Sequence, residues 1–448
     1  MSVRVLIPSG ALGLGYDRDA LARGIAQRPN IIAIDGGSTD SGPHYLGTGT
    51  SKYSRASIKA EWRALMQARA EAQVPLVIGT AGTCGADQAV DWLVDITREI
   101  AREIQQTLKI AVLKSGQSQT QMQKAFDSGK MTPLPGAPTV TTDDLAQCSN
   151  IVALAGAEQI QAALDTGAQI IIAGRTTDTA IIAALPLMRG CDPGGAWHGA
   201  KIGECGALAT THPNTGTIMI EFDSTGFTIT PMAQEACATP QTVSAHMLYE
   251  NADPFILHEP GGYLDVTQAQ YTALDARQVR VTGSRWVATE PYRVKLEGAV
   301  CRGYQTVSLV LVRDPRYVEN IRMWSDDIAQ QSRAKAQARG LADFTIELRL
   351  IGVDATLGPL ERDSQKGSEV GVLAIVTARS QQEANEVAKI LNPYLLHHPL
   401  SANEEMPTFA FPFSPPEMER GACYEFCLHH LLELSGPMEG FRLEVLDI

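Results

Sequence analysis

The strongest constraint on the fold is an alternation, over residues 1–215, of short β-branched apolar runs with longer amphipathic stretches. Short runs bounded by Gly, Ser or Thr are typical of strands buried on both faces of a sheet. They are Val3–Pro8, Ile31–Asp35, Leu76–Gly79, Ile110–Leu113, Ile151–Ala155 and Ile170–Ala173. The helix-like stretches include Ser54–Ala72, Gln88–Gln106, Thr141–Cys148 and Glu158–Thr166. This alternation predicts an α/β fold, with a Rossmann-like domain over residues 1–215 built on a doubly wound, mostly parallel sheet.

The pattern changes in the next segment. Two apolar stretches joined by a turn, Thr217–Phe222 and Phe227–Thr230, predict a β-hairpin, and another strand is expected at Gln278–Thr282. Residues 216–300 are therefore predicted to form a β-rich connecting region. The remaining part, residues 301–448, runs in the order strand, helix, strand, strand, helix, strand, which predicts a C-terminal ferredoxin-like α+β (βαββαβ) domain.

Charge and composition exclude several classes of partner. The formal net charge is −13, from 37 Lys and Arg against 50 Asp and Glu, so a nucleic-acid backbone is not an expected partner. No apolar run reaches the ~18 residues that span a bilayer, so no membrane association is expected. The N-terminus has a strand pattern rather than that of a signal peptide, and eight scattered cysteines suit reduced thiols. We therefore expect a cytoplasmic protein, assembled as a homo-oligomer or with a small partner subunit.

The loops that follow four predicted strands are rich in Gly, Ser and Thr. Open parallel sheets bind ligands beyond the carboxyl ends of their strands, where backbone N–H groups face anions. These loops therefore predict a substrate-binding surface; in the alternative interpretation the glycines only make tight turns. The candidates are Ser9, Gly10, Gly36, Gly37, Ser38, Thr39, Thr80, Gly82, Thr83, Arg175, Thr176, Thr177 and Asp178. The loops carry neither the dinucleotide fingerprint nor the P-loop ending, so there is no NAD or ATP signature.

Charged residues at two strand ends are candidates for proton transfer and anion binding. Asp35 ends a predicted buried strand, where a carboxylate can act as a general base; an Asx turn or helix cap is the alternative. Arg175 follows another strand, and its guanidinium could grip a substrate carboxylate with Asp178 as its orienting partner. A purely structural Arg–Asp pair is the alternative there.

One further segment gathers several acids and bases at helical spacing. If Ala196–Gly206 is a helix, His198, Lys201 and Cys205 share one face and Glu204 lies next to that face. Such a face would present several proton-transfer groups together.

Two pairs complete the candidate groups. His246 and Glu250 are four residues apart, a spacing that can bind a metal or pair a base with its orienter; an ordinary surface pair is the alternative. Lys295 lies two residues from Glu297 on one strand face, as a site residue or in a salt bridge. The predicted catalytic residues are thus Asp35, His198, Lys201, Glu204 and His246, and Glu250 and Lys295 join the substrate-binding set. No metal ligand set is assigned, and a divalent metal is left open as a cofactor.

Several longer motifs resemble those of the acyclic terpene utilisation AtuA family. They are IDGGSTDSGPHYLGTG, PLVIGTAGTCGAD, IIAGRTTDTAI, AWHGAKIGECGA, AHMLYENADPFILHEPGG, VKLEGA and FAFPFSP, and the resemblance runs from about Leu6 to about Leu434. The family takes its name from gene clusters that degrade branched isoprenoid acids through coenzyme A esters. The resemblance therefore implies a place in carboxylic-acid catabolism without fixing a reaction.

Three functional hypotheses follow. The first is a catabolic enzyme that acts on a small carboxylic acid or its coenzyme A thioester by proton transfer, as a hydratase, dehydratase (hydro-lyase) or isomerase. The second is a metal-dependent lyase or hydrolase. The third is a non-catalytic binding or scaffold subunit of a multi-protein catabolic complex.

Overall fold

The computed structural model describes residues 2–363 and 366–448 and confirms the α/β class. The strands are β1 (Val3–Ile7), β2 (Ile31–Asp35), β3 (Leu76–Gly79), β4 (Lys109–Lys114), β5 (Met131–Pro133), β6 (Cys148–Ala153), β7 (Ile170–Ala173), β8 (Ile218–Phe222), β9 (Gly226–Pro231), β10 (Ile256–Glu259), β11 (Gly262–Asp265), β12 (Gln270–Ala273), β13 (Val279–Thr282), β14 (Arg285–Ala288), β15 (Arg293–Val312), β16 (Phe344–Ile351), β17 (Val370–Ala378), β18 (Met418–Glu433) and β19 (Arg442–Asp447).

The helices are α1 (Arg18–Ala26), α2 (Pro43–Thr48), α3 (Arg55–Ala72), α4 (Asp87–Glu103), α5 (Gln119–Asp127), α6 (Thr142–Gln147), α7 (Ala157–Asp165), α8 (Ala180–Met188), α9 (Pro193–Gly203), α10 (Pro240–Ala245), α11 (Pro315–Glu319), α12 (Ile321–Ala338) and α13 (Gln381–His397). Four of them, α3, α4, α6 and α7, match the amphipathic stretches named in the sequence analysis to within a few residues. Within the described residues, no helix combines the length and apolarity that crossing a membrane requires.

Contacts divide the chain into two compact units. The first contains Met1–Val300 and Phe426–Ile448, and the second contains Cys301–Glu425. The predicted division into three domains, with boundaries after residues 215 and 300, stays a prediction. The predicted connecting region, residues 216–300, belongs to the first unit together with the end of the chain.

The first unit is built on a ten-stranded sheet in the order β12-β13-β9-β8-β1-β2-β3-β7-β4-β19. The five strands from β1 to β4 in that order are parallel, as the sequence predicts for residues 1–215. The sheet as a whole is mixed, because the β8–β9 hairpin pairs antiparallel with β1 and β19 pairs antiparallel with β4. The hairpin thus extends the same sheet.

One predicted strand lies in a different sheet. β6 was expected among the parallel strands but pairs antiparallel with Leu296–Val300 of β15. Its buried end, Ile151–Ala153, is as apolar as that of a parallel strand, whereas Ser149 is exposed. A short apolar run predicts a buried strand but not its neighbours, so this assignment was wrong.

Alternating side chains of the parallel strands pack against helices on the two faces of the sheet. Leu6, Ile32 and Ile34 share a core with buried residues of α1, α3 and α4. Val5 and Ile31 share the opposite core with buried residues of α7, α8 and α9. Burial on both faces explains why these strands are continuously apolar.

In the second unit, β17 pairs antiparallel with β16 and with Tyr304–Val312 of β15. Helices α12 and α13 cover this sheet, and Trp324, Val372 and Leu391 are among the buried residues of its core. From β15 onwards the chain runs β15, α11, α12, β16, β17, α13, β18 and β19, which is the predicted βαββαβ order with one additional short helix and one additional strand.

The loops after β3, β4 and β7 interlock at the carboxyl end of the parallel strands. The Thr80 amide donates to the carbonyl of Gly174 at 2.7 Å, and the Arg175 amide donates to Ser115 Oγ at 2.7 Å. Gly85 has φ +65°, and a Cβ there would lie 2.2 Å from the backbone nitrogen of Arg175. Gly85 therefore allows two loops to touch through their backbones.

We expect Gly85→Ala to destabilise the protein clearly more than Gly129→Ala. Both glycines have left-handed backbones, at φ +65° and +72°, so both alanines carry the ~1–2 kcal/mol backbone cost. Only at position 85 does the new methyl meet backbone; at position 129 it meets no described atom within 4 Å. Overpacking adds about 1–3 kcal/mol. Urea unfolding of the two variants measures the difference, and equal losses would contradict the close approach.

Candidate active site

A cleft of about 740 Å³ opens at the carboxyl ends of β1 and β2 in the first unit. This volume lies in the usual range for small-molecule sites, ~300–1,000 Å³. Its lining includes ten residues that the sequence analysis singled out: Ser9, Gly10, Asp35, Gly37, Ser38, Thr83, Asp178, Glu204, Cys205 and Glu250. The strand-end loops therefore do meet at one cavity.

Asp35 is the last residue of β2 and is only 7% exposed. Its backbone is fixed by the Leu12 amide, which donates to the Asp35 carbonyl at 2.7 Å. Its side-chain Oδ1 is buried and has no hydrogen-bond partner among residues 2–363 and 366–448. Burial, reinforced by the nearby Asp178 carboxylate, raises the pKa of Asp35 well above its ordinary value, although Arg175 opposes the shift. A carboxylate in this state is a stronger base than an ordinary one.

Arg175 and Glu297 form a buried, two-pronged ion pair behind this carboxyl. Arg175 Nε lies 3.0 Å from Glu297 Oε2 and Nη2 lies 3.3 Å from Oε1. Nη1 donates to Thr80 Oγ1 and to the Thr176 carbonyl, both at 3.2 Å. The Arg175–Asp178 contact is longer, 3.6 Å between Nη1 and Oδ1. Glu297 thus occupies the place that the sequence analysis assigned to a substrate carboxylate.

Neighbouring charged groups stabilise both the Arg175 cation and the Glu297 anion. Burial disfavours both ions, but Glu297, Asp178 and Asp35 together raise the pKa of Arg175. Arg175 and Lys295 likewise outweigh burial and hold the pKa of Glu297 at about 2. The pair therefore remains ionised and places a fixed positive charge beside Asp35 and Asp178.

Two predicted substrate-binding residues hold this ion pair. Thr39 donates from Oγ1 to Glu297 Oε2 at 2.9 Å, and Lys295 donates from Nζ to Oε1 at 3.0 Å. The expected pairing of Lys295 with Glu297 across one strand face is thus observed. In the structure these side chains position Arg175 through Glu297.

A second buried ion pair borders the cleft at the end of α9. Lys201 Nζ donates to Glu204 Oε1, and the two residues are 5% and 8% exposed. Burial raises the pKa of Glu204, and the charge of Asp178 adds to the shift while Lys201 opposes it. For Lys201, the Glu204 carboxylate outweighs burial and raises the pKa of the ammonium.

His246 and Cys205 lie against this pair. His246 is 4% exposed, its ring stacks on Tyr249 with centroids 5.5 Å apart, and burial lowers its pKa to about 4. One ring nitrogen donates to the carbonyl of Lys201. The other, Nε2, is buried without a hydrogen-bond partner in the described chain. A carboxylate oxygen of Glu204, Sγ of Cys205 and a ring nitrogen of His246 lie within 4.8 Å of one another.

The predicted helix is formed in part. His198 and Lys201 lie within α9 at the predicted spacing, whereas Cys205 lies two residues beyond its end at Gly203. His198 Nδ1 lies 2.7 Å from Ser284 Oγ, and its Nε2 lies 3.2 Å from the Tyr271 hydroxyl. Burial lowers its pKa to about 3. Both ring nitrogens are thus bonded within the protein, and His198 is not among the described residues that line the cleft, so its predicted catalytic role stays a prediction.

The predicted spacing of His246 and Glu250 on one helix is also wrong. Helix α10 ends at Ala245, and Glu250 has φ +58°, which breaks the helical register. His246 lies close to Glu204 and Cys205 and is not part of the cleft lining, whereas Glu250 borders the cleft. Tertiary contacts, which a local sequence pattern does not contain, decide where a helix as short as α10 ends.

The remaining predicted residues support the strand-end loops. A Cβ on Gly36 would lie 2.4 Å from the Thr80 carbonyl oxygen, and one on Gly82 would lie 2.7 Å from the Cβ of Ala89. The hydroxyl groups of Thr177 and Thr179 form a hydrogen bond, with their Oγ1 atoms 3.1 Å apart. Thr176 is fully buried next to Gly79, where an added Cβ would meet its Oγ1 at 2.2 Å. For these positions the structure favours the tight-turn interpretation.

Among the residues of this region that the sequence analysis did not single out, four are of interest: Lys52, Tyr53, Tyr249 and Glu259. Lys52, Tyr53 and Tyr249 line the cleft, and Lys52 Nζ donates to Ser41 Oγ at 3.1 Å. Glu259, on β10, accepts a 2.5 Å bond from Thr179, and burial raises its pKa to about 7. Tyr249 and Glu259 lie within the quoted motif AHMLYENADPFILHEPGG, which is the signal that could have identified them, whereas Lys52 and Tyr53 lie outside the quoted motifs.

The lining of the cleft is rich in carboxyl groups. Five acidic residues border it, and among the described lining residues Lys52 is the one cationic side chain; the acids are Asp35, Asp40, Asp178, Glu204 and Glu250. A free carboxylate would be repelled by this surface wherever these groups are ionised. A neutral carbonyl or a cation suits it better.

Comparison with known proteins identifies a family. The family model described as acyclic terpene utilisation family protein AtuA matches residues 48–413, most of the 448-residue chain. No curated protein and no solved structure matches the chain significantly.

Proposed function

We propose a function from one premise: the chain belongs to the acyclic terpene utilisation AtuA family. Membership implies a broadly catabolic role in the utilisation of acyclic terpenes. Within that role we assign to the chain an enzyme activity that moves a proton at the carbon next to a carbonyl group, as a hydratase, dehydratase or isomerase. The substrate class is a small branched carboxylic acid presented as its coenzyme A thioester.

One observation carries the proposal: the buried, unpartnered Oδ1 of Asp35 at the edge of the cleft, a statement that covers the described residues. Carbon acids are weak, so their general base works best when its pKa lies closer to neutrality than that of an ordinary carboxyl group. The raised pKa of Asp35 meets this requirement. Asp35 accepts the proton from the carbon next to the carbonyl. In an isomerase it returns the proton to the same carbon or to the far end of the conjugated enolate, and in a dehydratase the proton goes to the hydroxyl that leaves the neighbouring carbon as water.

The fixed charges around Asp35 support this step. Removal of a proton next to a carbonyl develops negative charge on the carbonyl oxygen, and a positioned cation stabilises that charge. Lys52 lines the cleft and can approach such an oxygen. Arg175 stays bound to Glu297, so its part is to keep Asp35 and Asp178 in place.

The acidic lining favours the thioester over the free acid. A thioester carries no charge at its carbonyl end, whereas a carboxylate placed there would meet Asp35, Asp178 and Glu204. The phosphates of the coenzyme lie far along the molecule from the reacting carbon. The thioester and the free acid therefore differ in charge at the carbonyl end, which is the end that would lie among these acidic side chains.

A metal-dependent lyase or hydrolase is the second candidate, and the nitrogen of His246 that has no partner in the described chain favours it. A non-catalytic subunit of a catabolic complex is the third. We also propose a cytoplasmic location and a homo-oligomer, with or without a small partner subunit. The strand order β16-β17-β15-β18 supports a ferredoxin-like fold, and helices on both faces of the parallel strands support a doubly wound one.

We expect branched acyl-coenzyme A thioesters to stabilise the protein against heat and the matching free acids to leave it unchanged. A ligand that binds only the folded state stabilises it by about 2.7 kcal/mol at 100 times its dissociation constant. Coenzyme A alone is the control, because it carries the nucleotide without the acyl group. Stabilisation by the free acids and not by the thioesters would contradict the proposed substrate class.

A further inference from the structure

We propose that Glu204, Cys205 and His246 form a binding site for one zinc-like divalent metal ion at the inner wall of the cleft. The three residues converge from two segments: Glu204 and Cys205 follow α9, and His246 follows α10. Glu204 and Cys205 line the cleft, and His246 lies behind them. The inference concerns metal binding and goes beyond the proposed proton transfer at Asp35.

The orientation of His246 carries the argument. A buried polar nitrogen without a partner costs free energy, roughly 1–3 kcal/mol, unless something binds it. His246 Nε2 is such an atom in the described residues, and the ring is 4% exposed. The opposite ring nitrogen donates to the Lys201 carbonyl. Metal-binding histidines almost always donate their second N–H in this way, because the bond fixes the tautomer and the ring orientation.

The spacing and chemistry of the three side chains select the ion. Ligand atoms around tetrahedral zinc lie ~2.0–2.3 Å from the metal, hence roughly 3.3–3.8 Å from each other. The three atoms already lie within 4.8 Å, so a contraction of about 1 Å brings them to that spacing. One nitrogen, one sulfur and one oxygen suit a borderline-soft ion such as Zn²⁺ and not Mg²⁺ or Ca²⁺, which prefer oxygen alone.

The surrounding charges compensate the ion. Lys201 donates to Oε1 of Glu204 and so shares this carboxylate with the proposed site. Lys201 repels a cation, but Asp178, Glu250 and Glu259 all act electrostatically on Glu204 or Cys205. The acidic character of the cleft, unfavourable for an anionic ligand, thus becomes favourable for a divalent cation.

Three protein ligands leave a coordination position open. Zinc sites with four protein ligands are structural, whereas those with three keep a position for water or substrate. Glu204 and Cys205 border the cleft, so a molecule in the cleft could reach an ion that they hold. A metal there could polarise a carbonyl oxygen as a Lewis acid.

Metal titration of the full chain tests the proposal without any substrate. The protein is first stripped with a chelator and then titrated with Zn²⁺ against a competing chromophoric chelator, and separately with Co²⁺ followed by absorbance. We expect one ion per chain and a sulfur-to-cobalt absorption band. His246→Asn and Cys205→Ser should each weaken binding by at least about 100-fold, more than the 10–100-fold lost with an outer partner.

Matched substitutions control for loss of a histidine or cysteine elsewhere. His258 and Cys301 are exposed, so His258→Asn and Cys301→Ser should bind like the wild type. Circular dichroism establishes that each variant is folded; if His246→Asn is not, Cys205→Ser and its loss of the cobalt band decide. A wild-type protein that takes no ion against the competitor, or a folded variant of either ligand that keeps wild-type affinity, would overturn the site. Either outcome leaves proton transfer at Asp35 to be judged separately.

Discussion

Asp35→Asn should nearly abolish turnover and at the same time stabilise the fold. The amide keeps the shape of the side chain but cannot accept a substrate proton, and losing a general base lowers the rate by roughly 10²–10⁴-fold. The folded protein holds the Asp35 carboxyl in a buried position beside Asp178, where its charge is disfavoured. Removing that charge should stabilise the protein by roughly 0.5–2 kcal/mol, as other substitutions that relieve a strained site do.

The gain in stability should depend on pH. The pKa of Asp35 is raised in the folded state above its ordinary value of 3.8, so the folded state binds more protons than the unfolded state above that pH. Wild-type stability from this group is complete below the unfolded pKa and is lost as the pH rises through the folded pKa. The Asp35→Asn variant has no carboxyl group to lose this proton, so its advantage should grow with pH. Urea unfolding between about pH 5 and pH 8 measures this.

Asp95→Asn is the matched control for Asp35→Asn. Asp95 is 68% exposed and pairs only with Arg98 in the described residues, one helical turn away. We expect wild-type turnover and a change in stability within about 0.5 kcal/mol. If Asp35→Asn destabilised the protein and stayed active, Asp35 would be an ordinary structural carboxylate.

Glu297→Gln should cause the largest loss of stability among the single substitutions considered. Glu297 and Arg175 are 5% and 6% exposed, and the glutamate accepts both prongs of the guanidinium. Replacing one partner leaves the other as an uncompensated buried charge, which costs about 3–5 kcal/mol. Urea unfolding at neutral pH measures this loss.

The pH dependence of stability gives a second test of the Arg175–Glu297 pair. The pKa of Glu297 is depressed from 4.5 to about 2 in the folded state. Its contribution to stability is therefore present above pH 4.5 and is lost as the pH falls from 4.5 towards about 2. In Glu297→Gln this part of the acid destabilisation should be absent, so the stability curves of variant and wild type should converge in acid.

Two comparisons make the Glu297 prediction specific. Glu221 pairs with Arg4 at 3.1 Å but is 37% exposed, so Glu221→Gln should cost no more than about 1 kcal/mol. The double variant Arg175→Met with Glu297→Leu removes both charges and should recover much of the loss. A Glu297→Gln variant no less stable than Glu221→Gln would contradict a buried pair.

The parallel strands and the position of Asp35 could be predicted because both depend on local sequence. A β-branched run such as Ile31–Asp35 is apolar throughout because it is buried on both faces, and its last residue must lie at the ligand-binding edge. Thr83 and Asp178 were predicted by the same rule, and both line the cleft. Strand-end position therefore identified much of the site.

The pairing of Arg175 with Glu297 could not be predicted in this way. The two residues are 122 positions apart and meet because β15 passes near the end of β7. Arg175 alone looks like an anion clamp, and only the fold shows which carboxylate it holds. The convergence of His246 on Glu204 and Cys205 is likewise tertiary, because α9 and α10 both end earlier than their polar patterns predict. Helix ends depend on contacts that a periodic pattern does not contain.

The most direct test of proton transfer at Asp35 is solvent exchange in deuterated buffer. Branched acyl-coenzyme A thioesters are incubated with wild type, Asp35→Asn and Asp95→Asn, and deuterium at the carbon next to the thioester carbonyl is followed by mass spectrometry. The account predicts enzyme-dependent exchange that Asp95→Asn retains and Asp35→Asn lowers by roughly 10²–10⁴-fold. Exchange at the wild-type rate in folded Asp35→Asn would contradict it.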